Sequence, residues 1–134
     1  MIDDVEAALG PFARDCQTSN LPVPTLYSVE VCDPLEWGAD IYAQVHFGWV
    51  DQRITCSAHL EDNDEHDNLV AAIAEAGHEA VIEHILWPNI PTNWPRCPEH
   101  PDTHPLEVGW PGEVPAWVCP VSGVAVADIG QLGS

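Results

Sequence analysis

The sequence contains no lysine and only three arginines, whereas 22 of its 134 residues are acidic, which gives a formal net charge of −19. A surface with this charge repels a phosphate backbone, so direct binding to DNA or RNA is excluded as a function class. We expect a basic protein partner instead. A solubility role, or a salt-adapted or GC-rich proteome, predicts the same charge.

Long apolar runs are also missing. No stretch approaches the roughly 18 consecutive apolar residues that a membrane span requires. The first ten residues, "MIDDVEAALG", are acidic, whereas a secretory signal would be basic and then apolar. We therefore expect a cytoplasmic protein without a membrane partner.

Cysteines occur at positions 16, 32, 56, 97 and 119, an odd number in a chain that is 46% hydrophobic. Such a chain can build a hydrophobic core, so a disulfide framework is not expected. Cys16 falls at helical spacing and Cys56 falls in an alternating pattern, which predicts that both are core residues.

The composition changes at Trp87. Nine of the 13 prolines and four of the six tryptophans lie between positions 87 and 120, whereas 17 of the 22 acids lie before position 87. This shift predicts an acidic α+β domain over residues 1–86 and a proline-rich module over residues 87–134.

The acidic region has the periodicities of regular secondary structure. Apolar residues recur at helical spacing from Ile2, and Pro11 is expected to kink that helix or to restart it after Gly10. Three stretches of period two then predict an antiparallel meander, with a hairpin turn at "GWVD". The residues predicted to lie on one face of each strand are Tyr27, Val29 and Val31; Ile41, Ala43, Val45 and Phe47; and Ile54, Cys56, Ala58 and Leu60.

A long helix is predicted to follow and to cover one face of the sheet. Asp62 or Asn63 can cap its start, and Gly77 is expected to bend it. Its apolar stripe comprises Leu69, Val70, Ile73, Val81 and Ile85. The order helix, three strands, helix predicts an α+β fold.

After Trp87 only "AWVCP" and "GVAVADIG" have strand patterns, so this region needs a further source of stability. The spacing C-x2-H-x3-H-x14-C offers Cys97, His100, His104 and Cys119 as ligands of one structural zinc ion. The stretch over residues 94–132 resembles a zinc ribbon, since "CPEH" and "CPVS" are similar to its two Cys-Pro knuckles. Ser122 stands where a ribbon has a ligand, so either His104 or a water is the fourth ligand.

The other histidines and tryptophans receive weaker predictions. His78 and His84 are six residues apart and are predicted to be surface residues. His46 and His59 are predicted to share the polar face of the sheet near Gln44. Trp87 and Trp117 are assigned to packing, and the remaining tryptophans of this region, Trp94 and Trp110, to partner contacts.

Three functional hypotheses follow. The first is a non-enzymatic acidic protein-interaction module, such as an adaptor, accessory subunit or chaperone. The second is an immunity-like, antitoxin-like or phage-encoded inhibitor that binds a basic protein surface, in one version by mimicking nucleic acid. The third, which the sequence favours least, is a zinc-dependent hydrolase, for which Glu99, Asp102 and Glu107 are candidate bases. No catalytic residue is assigned.

Overall fold

The chain folds as predicted into a mixed α+β structure. The computed structural model describes residues 2–31, 41–61, 65–85 and 93–132. Within these residues, two helices and six strands follow one another: α1 (Ile2–Thr18), β1 (Thr25–Val31), β2 (Ile41–Trp49), β3 (Ile54–Glu61), α2 (His66–Ala80), β4 (Glu107–Gly109), β5 (Ala116–Val118) and β6 (Ala125–Asp128). The strands form two antiparallel sheets, in the orders β1-β2-β3 and β4-β5-β6.

Helix α1 runs without interruption through Pro11, so the predicted restart after Gly10 is wrong. The residue before a proline normally avoids helical angles because its Cβ meets the proline ring, and Gly10 has no Cβ. The helix buries its apolar stripe against the sheet and α2. The members of this stripe are Val5, Ala8, Leu9, Phe12 and Cys16.

The first sheet is the predicted meander, and its strands β2 and β3 have the predicted faces. Ala43, Val45 and Phe47 of β2 are buried, as are Cys56, Ala58 and Leu60 of β3. Val45 pairs with Ala58 and Phe47 pairs with Cys56, so the two apolar rows lie side by side. The side chain of Ile41 lies outside the described residues.

Strand β1 differs from its prediction. A register shift between Leu26 and Ser28 leaves Tyr27 in a bulge, and one extra residue moves the following side chains to the opposite face. Leu26 and Val29 therefore both pack against the core, whereas Tyr27 in the bulge is exposed. The expectation that Tyr27, Val29 and Val31 lie on one face is wrong for Tyr27; Val31, the last residue of the strand, is also exposed.

A turn joins β2 to β3 as predicted, but it lies two residues later than "GWVD", because Gly48 and Trp49 still pair with β3. It is a single 3-10 turn, Val50–Gln52, and Arg53 closes it in the left-handed conformation. A Cβ at Gly48 would collide with the carbonyl group of Ile54. A side chain at this position is therefore incompatible with the close approach of the two strands.

Helix α2 buries its predicted apolar stripe and continues into a π-helical turn, Val81–Ile85. Glu65 occupies the N-cap position, and the predicted caps Asp62 and Asn63 lie outside the described residues. Gly77 is buried at the crossing with α1, where a Cβ would overlap the ring of Phe12. This glycine sets how closely the two helices approach.

We expect Gly77→Ala to lower the free energy of unfolding by about 1–3 kcal/mol, because the added methyl group overpacks this crossing. Equilibrium urea denaturation measures the loss. In a Phe12→Leu background the same substitution should cost much less, since the smaller side chain leaves room for the methyl group. An equal cost in both backgrounds would contradict this packing contact.

The second sheet contains the two predicted short strands and a third, β4, which was not predicted. The side chain of Trp117, in strand β5, is completely buried, and its ring centroid lies 5.6 Å from that of Trp94. Trp94 in turn contacts Phe12 of α1, with centroids 5.9 Å apart. One buried cluster thus contains side chains from both predicted regions. The boundary predicted at Trp87 lies outside the described residues.

Among the helices that the structure describes, none combines the length and the apolar character needed to cross a membrane.

Candidate metal centre

The register of the second sheet brings two of the predicted ligands to one place. Glu107 at the start of β4 pairs with Val118 at the end of β5. His104 lies three positions before the first residue of β4, and Cys119 directly follows β5. Both side chains therefore lie at the same end of this antiparallel pair, although 14 residues separate them in the sequence.

A short antiparallel backbone bridge positions the other two predicted ligands. Arg96 and Pro105 form an isolated antiparallel bridge, and the Leu106 amide donates a hydrogen bond of 2.7 Å to the Pro95 carbonyl. The chain between them turns back on itself, helped by a 3.2 Å hydrogen bond from the Thr103 amide to the His100 carbonyl. Cys97 and His100 thereby face the β4-β5 pair.

All four predicted residues converge. Each of Cys97, His100, His104 and Cys119 offers one ligand atom, and these atoms lie within 4.8 Å of one another. The His100 Nδ1 atom is 3.7 Å from the Cys97 sulfur and 3.6 Å from the Cys119 sulfur. The His104 Nε2 atom is 4.0 Å from the Cys119 sulfur. The group can hold a metal ion with two sulfur and two nitrogen ligands.

The orientation of His104 is suited to a fourth ligand. Its Nδ1 atom lies 3.2 Å from the carbonyl oxygen of Pro105, to which a protonated Nδ1 donates. A neutral imidazole protonated at Nδ1 carries its lone pair on Nε2, and Nε2 faces the cluster. Metal-binding histidines typically use their second ring nitrogen in this way, which fixes the tautomer and the ring orientation.

Ser122 supports Cys119 rather than adding a ligand of its own. Its backbone N–H lies 3.5 Å from the Cys119 sulfur and donates to it. Donation from the Ser122 side chain and backbone lowers the pKa of the Cys119 thiol to about 6. The turn is closed by a 2.8 Å hydrogen bond from the Gly123 amide to the Cys119 carbonyl. A thiol held in this way readily supplies the thiolate form that binds metals.

The two sulfur atoms belong to the protein interior. Cys97 and Cys119 have side chains 0% and 1% exposed, whereas His100 and His104 are half-buried. Cys16 and Cys56 are also buried free thiols, as predicted, and burial raises their pKa values to about 12 and about 11. Cys32 lies outside the described residues. Among the described cysteines, the depressed thiol pKa thus belongs to Cys119 of the cluster.

Asp15 is an important residue that the sequence interpretation missed. It is a carboxylate on α1 with no exposed surface. It accepts hydrogen bonds from the Trp117 indole at 2.7 Å, the Gly130 amide at 2.6 Å and the Leu132 amide at 3.0 Å. Burial raises the pKa of Asp15, and these three hydrogen bonds oppose that rise. Asp15 thus connects α1 both to strand β5 and to the segment that follows β6.

Two further predictions fail at this junction. His78 is not a surface residue: its ring packs against Trp94 and Trp117, and its Nε2 atom donates to the Trp94 carbonyl oxygen at 2.7 Å. Trp94 is itself buried and bonds to Ser19, so it packs the core instead of offering a contact surface. Aromatic packing and paired N–H groups stabilise both side chains inside. Trp110 is 47% exposed, His84 is exposed, and Trp87 is outside the described residues.

Burial lowers the pKa of His78, while its hydrogen bond to Trp94 partly opposes the shift. The unfolded chain therefore binds a proton, near pH 6.5, before the folded chain does. The stabilisation that comes from a neutral His78 is present above that pH. It is lost as the pH falls below it, by up to about 1.4 kcal/mol per pH unit.

We expect His78→Gln, which keeps a donor for the Trp94 carbonyl, to lose less unfolding free energy than wild type between neutral and mildly acidic pH. Urea denaturation across pH measures this; equal losses would contradict a neutral buried His78.

The polar face of the first sheet holds the remaining histidine pair. His46 lies 3.2 Å from the Ser57 hydroxyl and 3.5 Å from a Glu30 carboxylate oxygen. His59 lies 3.3 Å from the Gln44 amide nitrogen. The two histidines share this face as predicted, and the contacts are those of a polar sheet surface.

Comparison with known proteins adds no further assignment. No family model, curated protein or solved structure matches this chain. The metal cluster, the buried aspartate and the surface charge are therefore the observations from which a function is inferred.

Proposed function

We propose that this protein is a non-enzymatic interaction module, held together at its C-terminal end by one structural zinc ion, that binds a basic protein surface. The observation that carries the proposal is the convergence of Cys97, His100, His104 and Cys119 in a chain with a formal net charge of −19. In this proposal the metal cluster stabilises the C-terminal region, and the negative surface charge attracts the basic partner.

Zinc fits the donor set and its spacing. Two thiolates and two imidazoles are a common tetrahedral zinc environment. Metal distances of about 2.3 Å to sulfur and about 2.0 Å to nitrogen place tetrahedral sulfur and nitrogen ligands about 3.5 Å apart. The separations of His100 from the two sulfurs, 3.7 and 3.6 Å, agree with this value, and that of His104 from Cys119, 4.0 Å, needs a small inward movement.

The ligand set favours a structural over a catalytic role. Four protein ligands leave no coordination position for a substrate or a reactive water. The candidate bases Glu99, Asp102 and Glu107 all have exposed side chains, whereas a general base acts from within hydrogen-bond reach of the group it deprotonates. A zinc ribbon in which His104 completes the ligand set is the corresponding architecture.

The acidity supports a basic partner because electrostatic attraction accelerates association and penalises partners of the same charge. To test this, the tagged protein is incubated with extract of its own host at low and at high salt, and retained proteins are identified by mass spectrometry. We expect one predominant basic protein at low salt that is released at high salt. If an unrelated protein of equal size and net charge retains the same set, a specific basic partner is ruled out.

The inhibitor hypothesis is a second candidate, favoured by a row of carboxylates. Glu75, Glu79 and Glu83 are exposed and four residues apart along α2 and its π-helical extension. Like charges at this spacing destabilise a helix, so the row has a cost that binding to a basic surface would offset. Successive carboxylates repeat about every 6 Å along the helix axis, which produces a regular line of negative charge.

The two candidates differ in what the bound partner can still do. An inhibitor that mimics nucleic acid predicts competition between this protein and nucleic acid for the partner, and weaker competition after the triple substitution of Glu75, Glu79 and Glu83 to glutamine. An adaptor predicts that the partner binds both at once. A fluorescence polarisation assay with labelled nucleic acid and the purified partner separates these outcomes.

A further inference from the structure

A cavity of about 270 Å³ opens beside the turn between β2 and β3. Its apolar lining residues are Pro22, Val23, Trp49 and Val50, and its polar lining residues are Thr25, Asp51 and Gln52. Val23 and Val50 are 47% and 67% exposed, so two apolar side chains stand open to solvent at its mouth. Among its described lining residues, Asp51 carries the one formal charge.

The walls of this cavity are fixed by hydrogen bonds. The Trp49 indole N–H donates to the Pro22 carbonyl oxygen at 2.7 Å, which ties the segment before β1 to the end of β2. The Arg53 amide donates to the Val50 carbonyl oxygen at 3.1 Å and closes the turn that carries Asp51. A site whose walls are already in place loses little conformational freedom when a ligand enters.

The size and chemistry of the cavity suit one long cationic side chain. Its volume of about 270 Å³ falls just below the range of about 300–1,000 Å³ that is usual for small-molecule pockets. An arginine side chain has an aliphatic stem that packs on apolar surface and a planar head with five N–H donors. Asp51 can accept two of these N–H groups in parallel, a geometry that a lysine ammonium cannot match.

A second cavity, of about 200 Å³, lies between β3 and α2. It also contains acids, Glu79 and Glu83, but the apolar side chains on its described lining are the small Cys56, Ala76 and Ala80. It therefore lacks the extended apolar wall on which an arginine stem would pack.

We propose that the cavity beside Trp49 and Asp51 binds one arginine side chain of the basic partner. This inference rests on the proposed function, because it names the contact by which a basic surface would be anchored. Arginine is enriched among the few residues that dominate binding energy at protein interfaces. The general negative charge attracts the partner, and the cavity fixes its register.

The test uses hexa-arginine as the probe and hexa-citrulline, its neutral isostere, as the ligand control, with affinities measured by isothermal titration calorimetry. Asp51→Asn removes one charge from the cavity, and Asp128→Asn removes one charge from an exposed position on β6. We expect Asp51→Asn to weaken hexa-arginine binding at least about tenfold, as the loss of a hydrogen bond to a charged group requires. Asp128→Asn should change the hexa-arginine affinity less than twofold. Hexa-citrulline should bind measurably to none of the three proteins, wild type included.

A second measurement locates the probe. In ¹⁵N-labelled protein the Trp49 indole N–H and the amides of Val50 and Gln52 should shift most as hexa-arginine is added. Equal weakening by the two substitutions, with no shift at Trp49, overturns the arginine pocket while the general attraction to a basic partner stands. Failure of wild type to bind hexa-arginine at low salt contradicts both the pocket and the proposed function.

Discussion

Replacing Cys119 with serine should abolish binding of the proposed zinc ion and lower the midpoint of thermal unfolding by about 10–20 °C, the equivalent of about 4 kcal/mol in a chain of this size. The reason lies in the second sheet, whose strands have only three, three and four residues. Strands this short bury little area, so the metal ion is expected to hold their connecting loops in place. Differential scanning calorimetry with and without a strong chelator measures the effect.

A matched cysteine outside the cluster provides the control. Cys56 is buried in β3 and is not a member of the ligand group. Cys56→Ser is expected to lose some packing energy and to keep its metal ion, so chelation should still destabilise it. Chelation should have no effect on Cys119→Ser. If the chelator destabilises that variant as much as wild type, Cys119 is not a ligand.

The second large effect is expected from Asp15→Ala, which should lower the free energy of unfolding by about 3–5 kcal/mol. The substitution leaves the Trp117 indole and the backbone amides of Gly130 and Leu132 without their acceptor inside the protein. An unpaired buried donor costs about 1–3 kcal/mol, and three donors share this one carboxylate. Urea denaturation followed by tryptophan fluorescence reports both the loss and the altered surroundings of Trp117.

Asp4 on the same helix is the control, because its side chain is exposed. Asp4→Ala should change the free energy of unfolding by less than about 0.5 kcal/mol. Asp15→Asn keeps one acceptor oxygen and should fall between the two alanine variants. A loss below about 1 kcal/mol for Asp15→Ala would mean that the C-terminal segment does not depend on this carboxylate.

The elements that could be predicted from the sequence are those with a sustained period. Helix α1, strands β2 and β3 and helix α2 each repeat an apolar residue at 3.6 or 2 positions over several turns or pairs, and each exists as predicted. The bulge at Tyr27 was not predictable in this way, because the residues of β1 alternate regularly and the extra residue shows only in the pairing with β2. Strand β4 has only three residues, one of which is a glycine, so it is too short to show an alternation of apolar and polar residues.

The residues of the candidate site also fall into two groups, those that a local sequence pattern identifies and those that it does not. Cys97, His100, His104 and Cys119 were identified from residue type and spacing, because cysteine and histidine are scarce and four of them are concentrated beside prolines. The contribution of Asp15 depends on partners up to 117 positions away, which no local pattern encodes. One signal was present: Asp15 follows Phe12 by three positions, so it falls on the apolar stripe of α1, where an acid is unexpected.

The burial of His78 and Trp94 was missed for a related reason. Histidine and tryptophan occur both on surfaces and in cores, so residue type alone did not decide between the two. In the structure one ring nitrogen of each side chain has a partner from a distant segment: the Trp94 carbonyl oxygen for His78, and the Ser19 hydroxyl for Trp94. These contacts form only once the second sheet packs against α1 and α2.

The most direct test of the central claim is elemental analysis of the protein purified from its host without added metal and without chelators. A zinc ion bound by Cys97, His100, His104 and Cys119 predicts one equivalent of zinc per chain in wild type and in Cys56→Ser. It predicts almost none in Cys97→Ser or Cys119→Ser. A wild-type zinc content near zero, or a content unchanged by the substitution of Cys97 and Cys119, would contradict the account.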